Sequence, residues 1–206
     1  MSEGLKILPP SFFRSEDVLQ VARDLLGKLL RTRCGAGVAM GRIVETEAYA
    51  GINDRASHAY GGRRTARTGV MYLDGGAAYV YLCYGMHVLT NVVTNREGVP
   101  HAVLLRALDP VEGLGLMRAR SGGRLSDRHL CSGPGRLSKA MGISTTDTGR
   151  PLSTEALCIC DDGRGPGGPI VATPRIGVDY AGDDARLPYR FIVEGHPAVS
   201  GYRHAR

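Results

Sequence analysis

Apolar positions recur at helical spacing near the start of the chain and at strand-like spacing over most of the rest. After Ser15, apolar residues at 18, 19, 22, 25 and 26 predict a helix that Ser15 caps and Gly27 ends. Two β-prone runs follow, 28–34 and 38–49, on either side of a Gly-Ala-Gly turn. This arrangement predicts a β-hairpin directly after the helix.

The middle of the chain predicts a second hairpin and a further strand. Residues 78–83 and 87–94 are β-prone runs joined by a Tyr-Gly-Met tip at 84–86, and 102–108 is another apolar strand. The preceding segment, 52–70, is rich in Gly and Arg and is predicted to be a loop.

The rest of the chain predicts helices followed by strands. Asp109, Pro110 and Glu112 occupy the cap, first and third positions of a helix that should run to about Ala119. The later predicted elements are a break at 122–127, a short helix that opens at 132–137 and closes at Gly142, a loop at 161–169, and strands near 170–178 and 189–194.

Strands outnumber helices and adjoin in hairpins, so the predicted fold class is α+β. We expect a single compact domain in which a largely antiparallel, curved β-sheet carries flanking helices and a protruding β-hairpin. Residues 1–10 are predicted to be a flexible N-terminus, and 11–206 the folded domain. With 206 residues and 43% hydrophobic content, the chain can bury one core.

Basic residues outnumber acidic residues by 26 to 20, which gives a net charge of +6. Only Lys6, Lys28 and Lys139 are lysines, so the other basic residues are arginines. The positive charge favours a polyanionic partner, although a GC-rich genome would equally account for the preference for Arg. Residues 1–10 lack the apolar region of a signal peptide, and no run approaches the roughly 18 apolar residues of a membrane span, so we expect a cytoplasmic protein.

The five cysteines, at 34, 83, 131, 158 and 160, are odd in number and form no C-x-x-C pair. This spacing favours neither a disulfide framework nor a zinc site. We expect buried thiols and no metal.

Two charged residues stand inside runs that otherwise favour buried strands. Glu47 shares a strand face with Tyr49, because the two are two residues apart, and Arg106 lies within the apolar run 102–108. Either charge alone would be costly to bury, so Glu47 and Arg106 are predicted to be partners.

Other polar and aromatic residues carry weaker signals. His58 in a loop is compatible with simple solvation, Tyr81 beside Tyr79 with strand packing, and Asn91 with local pairing. Tyr84 is harder to explain, because an aromatic at a hairpin tip is exposed and contributes little to folding.

The loop before this hairpin carries Arg63, Arg64 and Arg67, which suit contacts to phosphates. An aromatic wedge beside a basic loop predicts a protein that binds bent nucleic acid.

Eight segments of the chain carry a family resemblance. They are Glu-Thr-Glu-Ala-Tyr (45–49), the His nine positions later, Tyr-Val-Tyr-x-x-Tyr-Gly-Met (79–86), Asn91, Leu-Leu-Arg-Ala-Leu-Asp-Pro (104–110), Leu-Cys-Ser-Gly-Pro (130–134), Arg-Ile-Gly-Val-Asp (175–179) and Ala-Gly-Asp-Asp-Ala-Arg (181–186). Together, and in this order, they resemble the alkyladenine (3-methyladenine) DNA glycosylase family, in particular its bacterial members. The resemblance spans roughly residues 12–195.

The resemblance implies a DNA-repair enzyme that flips a damaged purine out of double-stranded DNA and hydrolyses its N-glycosidic bond. Expected substrates are 3-methyladenine, 7-methylguanine, hypoxanthine and ethenoadenine, and the sequence identifies no general acid for the neutral bases. It further implies a cofactor-free monomer in the bacterial cytoplasm, associated with the nucleoid.

The resemblance also assigns the catalytic residues. Glu47 corresponds to the general base that activates a water, and Arg106 to the arginine that helps to hold that water. The backbone carbonyl near Ile176 corresponds to a third contact of the water.

The remaining assignments concern DNA. Residues matching the base pocket are Tyr49, His58 and Tyr81, together with Asn91, which corresponds to the residue that excludes the 2-amino group of guanine. Tyr84 corresponds to the side chain that fills the vacated stack. Contacts to the DNA backbone and minor groove are expected from Arg63, Arg64, Arg67, Met86 and His87. His87 replaces the Tyr of mammalian members, which leaves the minor-groove contacts open.

Three other functions differ from this one in the residues that they require. A bifunctional glycosylase/lyase needs an amine nucleophile, and none of the three lysines lies in a site motif. A zinc deaminase needs H-x-E and P-C-x-x-C motifs, which the sequence lacks. A non-catalytic nucleic-acid-binding module stays open, because the family's fold resembles a C-terminal domain of formyltransferases, although Glu47 and Arg106 argue against it. A Gly-Pro-Gly helix start at 133–135 is a weak candidate for binding a phosphate.

Overall fold

The computed structural model describes residues 4–35 and 37–201. The strands are β1 (Lys6–Ile7), β2 (Leu29–Cys34), β3 (Gly37–Tyr49), β4 (Ala78–Cys83), β5 (His87–Thr94), β6 (His101–Glu112), β7 (Leu157–Asp161), β8 (Ile170–Thr173) and β9 (Arg190–Val193). The α-helices are α1 (Pro10–Phe13), α2 (Val18–Asp24), α3 (Leu114–Ser121), α4 (Asp127–Leu130) and α5 (Pro134–Met141). Short 3₁₀ helices lie at Gly51–Asn53, Tyr60–Gly62, Gly69–Tyr72, Thr145–Asp147 and Asp179–Arg186.

The nine strands of the described residues form one sheet with antiparallel neighbours, whose main path is β1-β7-β2-β3-β6-β5-β4. Along one edge, β3 pairs first with β2 and then, at 45–47, with β9, which in turn pairs with β8. Along its other edge β3 pairs with β6. The predicted fold, a single α+β domain with a largely antiparallel sheet, is confirmed.

The helices cover one face of the sheet. α2, α3 and α5 pack against β3, β5 and β6, and their apolar side chains join those of the sheet in the main core. Val92 belongs to this core, whereas its neighbour Val93 belongs to a separate apolar cluster. Because side chains along a strand alternate between faces, the sheet has a helix-covered face and an opposite face.

One row of paired residues crosses four strands on the opposite face. Glu47 in β3 pairs with Leu104 in β6, which pairs with Asn91 in β5, and Asn91 pairs with Tyr79 in β4. Directly paired residues lie on the same face of a sheet. The antiparallel register therefore brings together polar residues that are far apart in the sequence.

The pairing of β3 with β6 is irregular beside Glu45. The register shifts on both sides of that residue, which leaves Val44 of β3 and Arg106 of β6 without a direct partner. Such bulges bend a strand and redirect its side chains. Here the bulge in β6 carries the Arg106 side chain to Glu45 and Glu47 together.

The β4–β5 hairpin ends in a tight turn, as predicted. Tyr84 and Gly85 both have left-handed backbones, with φ of 50° and 70°, and the Met86 N–H donates to the carbonyl of Cys83 at 3.1 Å. Two successive left-handed residues are the signature of a type I′ turn. The Tyr84 side chain is 86% exposed, as its place at the tip led us to expect.

The predicted helix start at Asp109 is wrong. β6 continues past Asp109, and α3 begins only after Gly113, whose φ is 81°. Pro110 pairs with Gly41, where an added Cβ would lie 2.9 Å from the Cβ of Leu108. Close pairing with β3 thus outweighs the local capping signals.

The cap of α2 also differs from the prediction. Asp17, not Ser15, caps this helix, because its carboxylate accepts hydrogen bonds from two backbone N–H groups of the first turn at 2.9 and 3.1 Å. The helix ends at Asp24, before the predicted stop at Gly27.

Later elements were predicted unevenly. The helix closed by Gly142 and the strand near 189–194 are present as α5 and β9, but the strand predicted at 170–178 is β8, which ends at Thr173. Strand β7 was not predicted. The predicted loop at 52–70 contains no strand or α-helix and is organised by 3₁₀ turns.

Three of the predicted buried thiols, Cys131, Cys158 and Cys160, are buried, whereas Cys83 is only half-buried. The Cys34 side chain lies outside the described part of the chain. Of the predicted flexible segment 1–10, the structure describes residues 4–10, in which Lys6–Ile7 pairs with β7 and Leu8 is buried. Within the described residues, no helix is long and apolar enough to cross a membrane.

Candidate active site

A cleft of about 1220 Å³ is lined by residues of the opposite face of the sheet, including Tyr79, Asn91 and Leu104, and also by residues of α5. No Asp or Glu of the described chain lines it, whereas seven cations do: Arg55, Arg63, Arg67, Arg106, Arg124, Arg136 and Lys139. Among the described residues, only Arg106 of these seven has its side-chain charge within 4 Å of a carboxylate oxygen. The lining therefore suits a polyanion.

Glu47 lies beneath the cleft lining with its side chain fully buried. The Tyr49 hydroxyl donates to Oε2 at 2.9 Å, and the Ile176 N–H donates to Oε1 at 2.8 Å. Arg106 Nη1 lies 3.2 Å from the same Oε1, so the predicted contact of Glu47 with Arg106 is present. Two of these neighbours donate hydrogen bonds and the third is a guanidinium cation, an arrangement that suits a carboxylate.

The electrostatics of Arg106 follow from its two carboxylate neighbours. Burial opposes its charge, but the negative charges of Glu47 and Glu45 outweigh burial and raise the pKa of the guanidinium. For Tyr49, burial raises the pKa of the phenol well above its usual value, and the charge of Glu47 adds to this. Tyr49 is therefore a neutral donor to Glu47.

Glu45 forms a second buried charge centre, which the sequence analysis missed. Its Oε1 accepts from Nε of Arg106 at 2.8 Å, from Nε of Arg190 at 2.7 Å and from the Ser200 hydroxyl at 2.9 Å. Its Oε2 accepts from the Ser200 N–H at 2.6 Å. The available sequence signal was a second Glu in the same buried strand, two residues before Glu47.

An aromatic cluster forms one wall of the cleft. His58 Nδ1 lies 2.8 Å from the Tyr79 hydroxyl, and the ring of His58 packs edge-on against Tyr81 at 4.8 Å between centroids. Burial, helped by the charges of Arg67 and Arg63, lowers the pKa of His58 to about 4. His58 is therefore neutral at physiological pH.

Asn91 lines the same cleft from the middle of β5. Its Nδ2 donates to the Tyr79 carbonyl at 3.0 Å, which fixes the amide in one orientation. The Asn91 side chain is 4% exposed, and its Oδ1 accepts no hydrogen bond from the described residues. One acceptor of this amide is left for a ligand.

A buried ion pair supports Tyr49 from behind. Arg175 and Asp54 form a bidentate pair with N–O distances of 2.6 and 2.9 Å, and Arg175 also donates to the Ala48 carbonyl at 2.9 Å. Its guanidinium lies 4.9 Å from the centroid of the Tyr49 ring. This pair anchors the segment that carries the Ile176 N–H, and the sequence analysis did not identify it.

The model of the methylpurine-DNA glycosylase family matches residues 11–197 of this chain. The chain belongs to this family. Three similar relatives are provisionally named as 3-methyladenine DNA glycosylases. That from Chlamydia pneumoniae is 47% identical over 95% of this chain and 98% of its own length. Those from Bacillus licheniformis and Methanocella arvoryzae are each 45% identical, over 97% and 95% of this chain and 100% and 96% of their own.

In this methylpurine-DNA glycosylase family member, most of the predicted site residues meet at one cleft. Its lining includes Tyr49, His58, Arg63, Arg67, Tyr81, Tyr84, Met86, His87, Asn91, Arg106 and Ile176. Two predicted residues do not line the cleft: Glu47 is buried beneath the lining, and the guanidinium of Arg64 lies over the ring of Tyr72, 4.9 Å from the centroid.

Three cleft features of this glycosylase-family chain were not predicted. Tyr180 is 69% exposed at the cleft, yet its hydroxyl donates to the Ala56 carbonyl at 3.0 Å. Arg136 and Lys139 project from α5 on the side where His87 approaches Gly135. Their signal in the sequence was two basic residues at helical spacing behind the Gly-Pro-Gly turn.

Proposed function

We propose that this protein is a monofunctional DNA glycosylase that flips a damaged purine into the cleft and removes it with a water activated by Glu47. Proposed substrates are 3-methyladenine and 7-methylguanine, followed by hypoxanthine and ethenoadenine. One observation carries the proposal: a fully buried carboxylate, held by two hydrogen-bond donors and the guanidinium of Arg106, lies beneath a cleft that is lined by cations and aromatic rings.

In the reaction, Glu47 acts as a general base on a water aimed at C1′ of the deoxyribose. The water oxygen bonds to C1′, Glu47 takes the water proton, and the N-glycosidic electron pair leaves with the base. A cationic alkylpurine leaves as a neutral molecule, so one carboxylate suffices. Each carboxylate oxygen has two lone pairs, and among the described residues only the Tyr49 hydroxyl donates to Oε2, at 2.9 Å, which leaves one lone pair for the water.

Access to Glu47 requires a small movement. The carboxylate is fully buried, so the residues that cover it must shift when DNA binds to admit the water. We assign this movement to the segment of Ile176, whose N–H donates to Glu47, because Ile176 is 42% exposed and Gly177 follows it with a φ of 75°.

Binding of the flipped base is assigned to Tyr49, His58 and Tyr81. Extrusion of a base costs a few kcal/mol, and each base–aromatic stack returns about 1 to 3 kcal/mol. A neutral His58 can stack on a cationic base without charge repulsion, which favours alkylated purines. The Asn91 side chain, held in one orientation by the Tyr79 carbonyl, would lie against the 2-amino group of guanine, where we propose that its bulk crowds this group out.

DNA contacts are assigned to the exposed parts of the cleft. Tyr84 would fill the gap left by the flipped nucleotide, with Met86 and His87 beside it in the minor groove. The unpaired cations of the lining would contact backbone phosphates.

The proposed monofunctional mechanism rests on the partners of Glu47, which include no lysine among the described residues. Lys28 is engaged with Asp161 at 2.6 Å, and Lys6 lies in β1 at the edge of the sheet, whereas Lys139 lines the cleft. Borohydride should trap no covalent adduct between the protein and lesion DNA. A trapped adduct that disappears in Lys139→Ala would show lyase chemistry.

The central test is Glu47→Gln in single-turnover excision from a duplex that carries one 3-methyladenine. The amide keeps the shape of the side chain but cannot take a proton, so lesion DNA should still bind while excision falls by about 100-fold or more. Glu112→Gln, an exposed change at the end of β6, is the matched control and should excise normally.

Near-normal excision by Glu47→Gln would remove Glu47 from the mechanism.

The cationic cleft would also serve a non-catalytic nucleic-acid-binding module, the second candidate. That function predicts that the unaltered protein binds the duplex but generates no alkali-labile abasic site from any of the four lesions.

A further inference from the structure

Arg106 is held from behind by groups that do not line the cleft. Its Nε donates to Glu45 at 2.8 Å, and its Nη2 donates to the Ser200 hydroxyl at 3.2 Å. Its remaining terminal nitrogen, Nη1, lies 3.2 Å from Glu47. Each nitrogen of the planar guanidinium therefore has its own partner, and the three contacts together fix the orientation of the side chain.

The charge of Glu45 is balanced without relying on Arg106 alone. Arg190 donates to Glu45 through Nε at 2.7 Å and to the Ser200 carbonyl through Nη2 at 2.8 Å. The Ser200 N–H and hydroxyl donate to Glu45 at 2.6 and 2.9 Å. Arg190 and Ser200 together donate three of the four hydrogen bonds that Glu45 accepts. Arg106 therefore contacts Glu45 through Nε alone, and its Nη1 is left for Glu47.

Ser200 is the residue that joins these contacts. It is 9% exposed, and its hydroxyl accepts from Arg106 while donating to Glu45. Its backbone groups bind Glu45 and Arg190 independently of the hydroxyl. Removal of the hydroxyl should therefore loosen Arg106 and leave the rest of the cluster in place.

We propose that Ser200, together with Glu45, is a positioning residue that sets the guanidinium of Arg106 for the reaction at Glu47. The proposal rests on the proposed function, because it concerns how Arg106 serves the glycosylase reaction. The match to the family model ends at residue 197, before Ser200.

The first measurement compares excision rate with lesion binding. In Ser200→Ala, single-turnover excision at saturating enzyme should fall roughly tenfold, the effect of one lost hydrogen bond to a charged group, with the Kd for lesion duplex changed by less than about twofold. Ser200→Thr keeps the hydroxyl and should restore the rate. Ser200→Cys, of similar volume and with a weaker hydrogen-bonding group, should lie between the two.

The second measurement tests whether Ser200 acts through Arg106. Arg106→Lys removes the planar guanidinium that donates to the Ser200 hydroxyl. In this background, Ser200→Ala should reduce the excision rate by a further factor of less than about two, because the partner of the hydroxyl is already gone. A merely structural role would instead slow excision by the same factor in both backgrounds.

Thr32→Val is the matched control. It removes a buried hydroxyl that donates to the Met141 carbonyl at 2.7 Å in a strand outside the cleft, and it should leave excision unchanged. Equal rates for Ser200→Ala and the unaltered protein, or additive effects with Arg106→Lys, would overturn the positioning role. Neither result would touch the proposed function, which fails only if no base is released from lesion DNA or Glu47→Gln still excises.

Discussion

Burial lowers the pKa of His58, a residue that lines a cleft rich in cations. Its ring lies against Tyr81, and its Nδ1 contacts the Tyr79 hydroxyl at 2.8 Å. Burial and the cations Arg67 and Arg63 lower its pKa to about 4, whereas an unburied histidine has a value of 6.5. An imidazolium at this position would repel both those arginines and a cationic base.

This difference predicts how acid changes stability. Between pH 6.5 and pH 4 the unfolded chain binds a proton at His58 and the folded chain does not, so the free energy of unfolding falls as the pH is lowered through this range. His58→Asn removes that contribution. From pH 7 to pH 5 the variant should lose less stability than the unaltered protein, by on the order of 1 kcal/mol after a discount for partial exposure.

Urea unfolding at the two pH values measures this difference, and contributions from other histidines cancel between the two proteins. Parallel losses of stability would mean that His58 takes up its proton as easily in the folded state as in the unfolded state.

For individual residues, the sequence predicted the contact that follows from two charges placed within apolar strands. The charges of Glu47 and Arg106 in apolar runs sufficed to predict their contact, which is present at 3.2 Å. Ser200 could not be predicted in the same way, because it meets Arg106 across 94 residues of chain and its backbone supplies half of its contacts. A serine near the end of a chain carries no pattern of its own.

The β4–β5 hairpin combines a favourable turn with an unfavourable residue. A type I′ turn prefers Asn-Gly, yet this turn has Tyr84 at a φ of 50° before Gly85. Left-handed backbone is strained for a bulky residue. The hairpin therefore gives up some stability to present an aromatic ring at its tip.

Tyr84→Asn should separate the two roles of the turn. The hairpin should become as stable or slightly more stable, because Asn tolerates the left-handed conformation. Lesion binding should weaken by roughly 1 to 3 kcal/mol, the contribution of one stack. Melting temperature and fluorescence anisotropy with lesion duplex, both in a Glu47→Gln background, measure the two effects. A clear drop in melting temperature would mean that Tyr84 packs within the fold.

Elements were predictable where local and tertiary preferences agree. The β4–β5 hairpin and α5 carry their own turn and closing signals, and both are present. The helix expected from Asp109 failed because three capping signals compete with pairing to β3, which no local pattern reports. Strand β7 was missed for a related reason, since its pairing partners β1 and β2 lie more than 100 residues earlier in the chain.

At the scale of the whole molecule, part of the net positive charge lies in the cleft, which is lined by seven cations and by no Asp or Glu of the described residues. Arg136 and Lys139 line the cleft and are exposed on α5, which carries them beside the hairpin. Each phosphate contact contributes about 0.9 to the slope of log affinity against log salt concentration.

Replacing both Arg136 and Lys139 with Gln should therefore reduce the slope for an undamaged duplex by about 2 and weaken binding most at low salt. Arg128→Gln changes an exposed cation of α4 that does not line the cleft, and it is the matched control. If the control lowers the slope as much as the double change, net charge alone rather than the cleft would attract DNA.

Glu47 lies in a part of β3 that is paired on both edges, and this pairing bears on how the site is lost on heating. At residues 45–47, β3 is hydrogen-bonded to β6 on one edge and to β9 on the other, so neither edge can fray alone. Backbone amides in such a position exchange with deuterium only when the domain opens as a whole. Heating should therefore produce no population that stays folded while Glu47 is displaced. With Glu47 as the proposed general base, the temperature at which excision ceases should coincide with the temperature at which the domain melts.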